Sequence, residues 1–90
     1  MIRHYNITVK GKVQRVSYRF WTQTTAMKYQ LTGYVRNLHN GDVFIEVEGE
    51  EENINKLIDL CYVGSPLSEV KEVSAVESEL KNFETFETKK

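Results

Sequence analysis

The spacing of hydrophobic positions changes several times along the chain, and each change predicts a different element. Residues 5–9 alternate between apolar and polar side chains, which is typical of a strand with one buried face. Over residues 18–31 the spacing becomes helical, and Phe20, Met27 and Leu31 are expected to share one face. The sequence therefore predicts a strand followed by an amphipathic helix.

A hairpin and a second helix follow. Residues 34–38 and 43–48 predict two strands around Asn40-Gly41, a dipeptide typical of hairpin turns. Valine and isoleucine at every second position of the second strand predict its buried face. Apolar residues then recur at intervals of three and four over residues 54–62, which predicts a second helix with one buried face.

The last third of the chain predicts two more strands. Residues 68–77 indicate a looser strand, in which three valines spaced by three residues predict a β-bulge. Phe83 and Phe86 indicate a short final strand, and residues 87–90 form the one soft segment. The order β-α-β-β-α-β predicts an α+β ferredoxin-like sandwich, an antiparallel sheet with two helices on one face. We expect residues 1–90 to form a single domain.

Charge is unevenly distributed behind a net charge of −1. Residues 1–45 contain seven basic residues and one acid, a sum of +6, whereas residues 46–90 contain five lysines and twelve acids, a sum of −7. Such a split suggests a face that binds an anion. The near-neutral total and a pI near 6.1 argue against nucleic acid as the main partner, because binding a phosphate backbone needs several cations on one face.

The composition also indicates the cellular compartment of the protein. No apolar run approaches the ~18 residues of a membrane span, and the first residues lack the apolar core of a signal peptide. The single cysteine, Cys61, cannot form an internal disulfide. We therefore expect a cytoplasmic protein with no membrane partner, and nothing in the sequence requires more than a monomer.

No common catalytic or metal-binding set is present. His4 and His39 lack a second ligand at metal-binding spacing, and both are expected to be surface or turn residues. Cys61 falls in the apolar stripe of the second predicted helix and is expected to be a core thiol. The acidic residues 50–52 are expected to favour the start of that helix. No metal and no cofactor are predicted.

One segment can carry chemistry. Residues 11–19, Gly-Lys-Val-Gln-Arg-Val-Ser-Tyr-Arg, join the first strand to the first helix. A loop in this position can present consecutive backbone N–H groups to an anion, and the helix dipole adds to the attraction. Arg19, at the start of the helix, can bind two phosphate oxygens at once. The spacing alone does not decide between such a site and a plain basic loop on the surface.

This segment resembles the first motif of the acylphosphatase family, Gly-x-Val-Gln-Gly-Val-x-(Phe/Tyr)-Arg. Residues 33–37, Gly-Tyr-Val-Arg-Asn, followed by Gly41, resemble the second motif of the family. Residues 64–66, Gly-Ser-Pro, resemble the segment that follows the second helix in the family. The resemblance runs from about residue 5 to residue 86.

The resemblance implies hydrolysis of the carboxyl–phosphate bond of small acyl phosphates without a metal. It also implies a phosphate site made by Arg19 and the loop amides, which are those of Arg15, Val16, Ser17, Tyr18 and Arg19. Asn37 would position the attacking water, although from its place beside Asn40-Gly41 alone it would be interpreted as a turn residue. The physiological acyl phosphate stays open.

Arg15 departs from the motif, because the family usually has glycine there. Glycine tolerates a positive φ, at which arginine would be strained by roughly 1 kcal/mol or more. Three possibilities follow. The backbone at this position does not need a positive φ, Arg15 adds a second cation near the phosphate, or Arg15 crowds the site and weakens activity. We expect an active fold whose affinity for phosphate is altered, and a reduced affinity is one form that this change can take.

Three alternatives are weighed against an enzyme. A non-catalytic or weakly active anion-binding regulatory module of the same fold would explain Arg15. An RNA-binding domain with this element order needs aromatic residues on its third strand, whereas residues 42–48 contain one aromatic and two glutamates. A copper chaperone of this fold needs a Cys-x-x-Cys motif, which one cysteine excludes.

Overall fold

The computed structural model describes residues 1–90 and contains five strands and two helices. In chain order they are β1 (Ile2–Lys12), α1 (Tyr18–Lys28), β2 (Thr32–Asn37), β3 (Val43–Glu50), α2 (Glu51–Cys61), β4 (Glu69–Ser78) and β5 (Phe86–Lys89). The strands form one sheet in the order β4-β1-β3-β2-β5. This arrangement confirms the predicted α+β ferredoxin-like fold.

The sheet is antiparallel except at one edge. β1 pairs with β3 and β4, and β2 pairs with β3, all antiparallel, whereas β5 runs parallel to β2. The prediction of a soft segment at residues 87–90 was therefore wrong, because most of that segment belongs to β5. Phe86 is buried and holds the start of this short strand against the core.

Both helices cover the same face of the sheet and bury one apolar core. In β3 the side chains of Val43, Ile45 and Val47 are fully buried on this face, as their alternation predicted. α2 buries Ile54 and Leu57 against them, also as predicted. Burying an aliphatic side chain of this size contributes about 1.5–3 kcal/mol, so β3 and α2 supply much of the driving force for folding.

The buried face of α1 differs from the prediction. Phe20 and Met27 are 69% and 62% exposed, and the buried side chains are instead those of Tyr18, Thr22, Thr25 and Ala26. Hydrogen bonds allow this choice, because the Thr22 hydroxyl donates to the Tyr18 carbonyl inside the helix. The apolar periodicity of α1 therefore did not predict its buried face, because that face contains small residues and a threonine whose hydroxyl is hydrogen-bonded within the helix.

The first helix also ends earlier than predicted, at Lys28, and Gly33 is not its terminator. Gln30 has a positive φ of 58° and turns the chain into β2. Gly33 lies within β2 at φ 138°, where an added Cβ would overlap the backbone carbonyl of Glu46 on the neighbouring strand. Glycine is required there because two backbones approach closely, and not because a helix must stop.

The predicted bulge is present in β4. Lys10 lies opposite Glu72 and Gly11 lies opposite Val70, so that Lys71 is the extra residue. The bulge brings Val70 and Val73, three residues apart, to the face that packs against the core. Val76 does not follow them and is exposed on the other side of the strand.

A buried polar cluster occupies the face of the sheet that carries no helix. His4 is fully buried, so the prediction that it is a surface or turn residue was wrong. Its Nδ1 lies 2.7 Å from Glu48 Oε2, and its Nε2 lies 3.1 Å from Glu46 Oε1. The cross-strand register places His4 directly opposite Glu48. His39, in contrast, is an exposed turn residue as predicted.

The segment between β4 and β5, residues 79–85, crosses over this cluster. The Glu48 carboxylate accepts hydrogen bonds from the backbone N–H groups of Lys81 and Phe83. Phe83 stacks on the His4 ring with a centroid separation of 5.9 Å, and Lys81 Nζ lies 2.7 Å from Glu46 Oε1. The cluster therefore fixes the path by which the chain enters β5.

α2 agrees with its sequence signals at both ends. Glu51 and Glu52 lie in its first turn, where carboxylates favour the helix dipole. Cys61 ends the helix as a buried free thiol, and burial raises its pKa to about 12. A thiol of this kind belongs to the core, as predicted. Neither helix of the protein has the length and apolar character that crossing a membrane requires.

The cluster predicts an acid-sensitive stability. Burial raises the pKa of Glu48, but the hydrogen bonds from Lys81, His4 and Phe83 outweigh it, so that the pKa is lowered from 4.5. A folded-state pKa below the unfolded value adds stability above pH 4.5, which is lost as the pH falls through the folded value. Glu48→Gln should lower the free energy of unfolding at pH 7 by about 1–3 kcal/mol.

Urea denaturation at pH 7 and pH 3.5 measures this effect. The difference between wild type and Glu48→Gln should shrink at the lower pH, because below pH 4.5 the unfolded wild-type chain binds a proton at Glu48 and the contribution of the folded carboxylate is progressively lost. Glu79→Gln, which changes an exposed glutamate beside the crossing segment, serves as the matched control and should stay near wild type at both pH values. An equal loss for Glu48→Gln at both pH values would contradict the account.

Candidate active site

A cleft lies where the loop between β1 and α1, the end of β2 and the strand β5 meet. Its lining residues are Val13, Arg15, Ser17, Tyr18, Arg19, Phe20, Gln23, Asn37, Thr88, Lys89 and Lys90. The structure thus brings together all the residues predicted for the site except Val16, whose side chain is buried beneath the loop. Residues from three sequence regions converge here, 13–23, Asn37 and 88–90, and only the topology of the sheet makes them neighbours.

The loop of residues 13–17, which we call the cradle loop, has an unusual backbone. Arg15 and Ser17 have φ values of 62° and 61°, both in the left-handed region, with Val16 between them. Alternation of this kind turns successive N–H groups to the same side, as in backbone nests that bind anions. None of the backbone N–H groups of residues 15–19 donates a hydrogen bond within the protein.

The start of α1 adds to these free donors. Ser17 is the N-cap residue, but its side chain makes no capping hydrogen bond, and the first turn contains no acidic residue. The first hydrogen bond at this end is donated by Trp21 N–H to the Ser17 carbonyl, at 3.0 Å. The positive end of the helix dipole therefore faces the cleft without a protein anion to neutralise it.

Side chains from outside the helix hold the cradle loop in place. Gln14 Nε2 donates to the carbonyls of Leu38 and Asp42, at 2.7 and 2.9 Å, and so ties the loop to the β2–β3 hairpin. The buried Ser65 donates from Oγ to the Val16 carbonyl at 2.7 Å. Sequence reasoning gave neither Gln14 nor Ser65 a role, although both lie in the motif segments. Their positions inside those motifs were the one signal available.

Tyr18 is part of the support beneath the site. Its side chain is buried, its hydroxyl donates to the Cys61 carbonyl at 2.9 Å, and burial raises its pKa. Gly64 passes so close that an added Cβ would lie 2.8 Å from the Tyr18 ring. The predicted contribution of Tyr18 to substrate binding is therefore restricted to its backbone N–H.

Arg19 is the second residue of α1 and is held by the last strand. Its Nη1 donates to the Lys89 carbonyl at 2.8 Å, while Lys89 Nζ lies over the Tyr34 ring, 4.4 Å from the centroid. No carboxylate forms an ion pair with Arg19. The guanidinium is thus oriented by a neutral acceptor and keeps an uncompensated charge beside the free amides.

Asn37 is the last residue of β2, paired with Val43 across the hairpin. Its Oδ1 is buried and accepts no hydrogen bond from the protein. The turn is stabilised by other residues, because Asn40 Oδ1 accepts the Asp42 N–H at 3.0 Å and Gly41 adopts φ 98°. Asn37 therefore ends the strand without taking part in these turn contacts, and its amide oxygen has no partner in the protein.

Arg15 lines the cleft with an exposed side chain. Its φ of 62° excludes the first of the three possibilities raised above, that the backbone here needs no positive φ. The guanidinium forms no ion pair within the protein. Arg36, next to Asn37 in sequence, is exposed and does not line the cleft, because neighbouring strand residues point to opposite faces.

The electrostatics of the cleft favour an anion. Among its lining residues are two arginines and two lysines, and no aspartate or glutamate. No group of three or more His, Cys, Asp or Glu residues is arranged to hold a metal ion. The donors that could act on a ligand are therefore backbone amides, a guanidinium and one carboxamide, a set that suits a phosphoryl group and one oriented water.

Comparisons with known proteins agree with this geometry. The sequence profile of the family described as Acylphosphatase matches residues 5–88. An acylphosphatase of Bacillus licheniformis is 42% identical over 83 residues, which is 91% of this chain and 92% of that protein.

Two solved structures have the same fold at nearly full length. A crystal structure of an acylphosphatase from Bacillus subtilis has a TM-score of 0.95 and 35% identity, with all of both chains covered. A structure of an acylphosphatase from Coxiella burnetii also has a TM-score of 0.95, with 33% identity over 98% of this chain and 93% of the other.

Proposed function

The chain belongs to the acylphosphatase family and hydrolyses acyl phosphates, and we propose that Arg19, Asn37 and the backbone amides of residues 15–19 carry out the reaction. The observation that carries this proposal is that free hydrogen-bonding groups come together at one cleft. The unpaired backbone N–H groups of residues 15–19, an arginine without a counter-charge and the carboxamide of Asn37 lie together there.

In this proposal the phosphoryl group lies in the cradle loop. Its oxygens accept hydrogen bonds from the amides of residues 15–19, and the Arg19 guanidinium binds two of them side by side. Phosphoryl transfer depends mainly on positioning and on stabilising charge on these oxygens, and fixed amides provide both without moving. Because the Lys89 carbonyl already orients Arg19, little side-chain freedom is lost when the substrate binds.

Asn37 acts on the nucleophile. Its carboxamide lines the cleft, where it hydrogen-bonds a water molecule and turns a lone pair of that water towards phosphorus. The bond from water oxygen to phosphorus forms, the bond from phosphorus to the carboxyl oxygen breaks, and a proton of the water passes to a phosphoryl oxygen, so that it leaves with the phosphate product. The products are a carboxylate and inorganic phosphate. A carboxylate leaves readily, so the site needs no general acid, and a carboxamide orients water without titrating.

The remaining properties are also part of the proposal. The substrate is a small molecule, and we infer a monomer of one domain that works in the cytoplasm, supported by the free and buried Cys61. The donor set of the cleft supports catalysis without a metal. A regulatory module with little activity is not favoured, because Arg15 lines the cleft and leaves Arg19 and Asn37 in place.

Replacing Arg19 by alanine tests the phosphate site. Arg19→Ala should lower kcat/KM for benzoyl phosphate by roughly a thousandfold or more, the scale of an arginine that stabilises charge in phosphoryl transfer. KM should rise as well, because the guanidinium also binds the ground state. The measurement is hydrolysis of benzoyl phosphate with excess EDTA, with circular dichroism to establish that the variant is folded.

Arg36→Ala is the matched control, since Arg36 is an exposed arginine outside the cleft, and it should keep wild-type kinetics. Near-normal activity in folded Arg19→Ala would refute the assignment. Loss of wild-type activity on addition of EDTA, restored by a divalent metal, would refute metal independence alone.

Asn37→Ala separates water positioning from binding. The variant should lose about a hundredfold in kcat, as expected for a misplaced nucleophile, with KM changed little. Asn55→Ala, at an exposed position of α2, should keep wild-type values. An intact kcat in Asn37→Ala, or a rise in KM with kcat unchanged, would rule out the water-positioning role.

A further inference from the structure

Arg15 combines backbone strain with a free charge. A left-handed conformation costs a residue other than glycine about 1 kcal/mol, and Arg15 adopts it at φ 62°. The Arg15 side chain does not offset this strain, because it is exposed and forms no ion pair. Strained positions of this kind are concentrated where a side chain contacts a ligand.

The phosphoryl group does not need Arg15. Five free amides and the Arg19 guanidinium already offer more than one donor to each of the three phosphoryl oxygens. The two arginines also differ in how they are held, since Arg19 is fixed to the Lys89 carbonyl and Arg15 is not held at all. A second guanidinium beside a satisfied phosphate is therefore available to another group of the substrate.

The rest of the substrate must occupy the rest of the same cleft. Once the amides and Arg19 hold the phosphoryl group, the acyl part lies among the remaining lining side chains. Two of the exposed ones, Phe20 and Arg15, are suited to opposite kinds of contact. Phe20 is 69% exposed and offers an apolar surface to the acyl carbons, while Arg15 offers five N–H donors and a positive charge.

We propose that Arg15 is a specificity-determining residue that binds a second anionic group on the acyl part of the substrate. The preferred substrates are then acyl phosphates that carry a further carboxylate or phosphate, and neutral acyl phosphates are poorer ones. The absence of any aspartate or glutamate from the lining leaves this charge unopposed. The inference rests on the proposed function of the cleft and adds the class of substrate.

Four aromatic acyl phosphates test the inference. Benzoyl phosphate is neutral in its acyl part. The compounds 4-carboxybenzoyl phosphate and 3-carboxybenzoyl phosphate add a carboxylate at two different distances from the phosphoryl group. Their 4-carbamoyl analogue controls for size. The measured quantity is the ratio of kcat/KM for the carboxylated substrate to that for benzoyl phosphate, in wild type, Arg15→Gln, Arg15→Lys and Arg36→Gln. Arg15→Gln keeps a side chain at the strained position.

The wild-type ratio, for at least one carboxy isomer, should exceed that of Arg15→Gln by about fivefold, the upper range for an exposed ion pair. Arg15→Lys should keep most of the preference, because it keeps the charge. Arg36→Gln should match wild type, because its arginine lies outside the cleft. The wild-type preference should also weaken as ionic strength rises.

Three results would overturn the inference. An equal loss of kcat/KM on both substrates in Arg15→Gln would place Arg15 on the phosphoryl group, and no change on either would make it a bystander. A preference for the carbamoyl analogue equal to that for the carboxylate would point to size and not charge. Failure of wild type to hydrolyse benzoyl phosphate at all is a different outcome, which refutes the proposed function itself.

Discussion

The site depends on a loop that cannot hold its own conformation. Such a loop is unfavourable in isolation for two reasons. Five successive backbone N–H groups lack hydrogen-bond partners, and two residues other than glycine have a strained left-handed backbone. Hydrogen bonds from Gln14 and Ser65 hold the loop against closing on itself. Contacts on the side of the loop that faces the protein therefore keep these amides free. An anion bound in the cleft would supply the hydrogen-bond acceptors that they lack.

The two faces of the sheet contribute to the same site in different ways. On the helical face, Tyr18 and Gly64 seat the start of α1. On the other face, Glu48 holds the segment that leads into β5. That strand then supplies the carbonyl that orients Arg19. A polar cluster remote from the cleft thus bears on the orientation of Arg19 through the position of one backbone carbonyl.

Much of this structure follows from the sequence, and the failures share a cause. β3 and α2 were predicted well because their apolar residues define one face by themselves. The burial of His4 and the extension of the last strand over residues 87–89 were missed, because each depends on a partner distant in the chain. The sequences around His4 and in the tail are polar, so only pairing with distant strands determines that His4 is buried and that the tail forms a strand.

The candidate site shows the same division. The resemblance of two motifs placed Arg19 and Asn37, and the cleft brings them together. No spacing rule could have found that Lys89 orients Arg19, since the two residues are 70 positions apart. Nor could it have shown that Arg15 takes up the glycine-like backbone and keeps its side chain free, because φ is fixed by anchors elsewhere in the fold.

The most direct measurement is an amide proton NMR titration with inorganic phosphate at constant ionic strength. The N–H resonances of residues 15–19 should move downfield together, with one dissociation constant equal to the inhibition constant of phosphate in the hydrolysis assay. Chloride at the same concentration should leave them in place. Competitive inhibition by phosphate with these amides unmoved, or with the shifts centred elsewhere in the protein, would contradict the account.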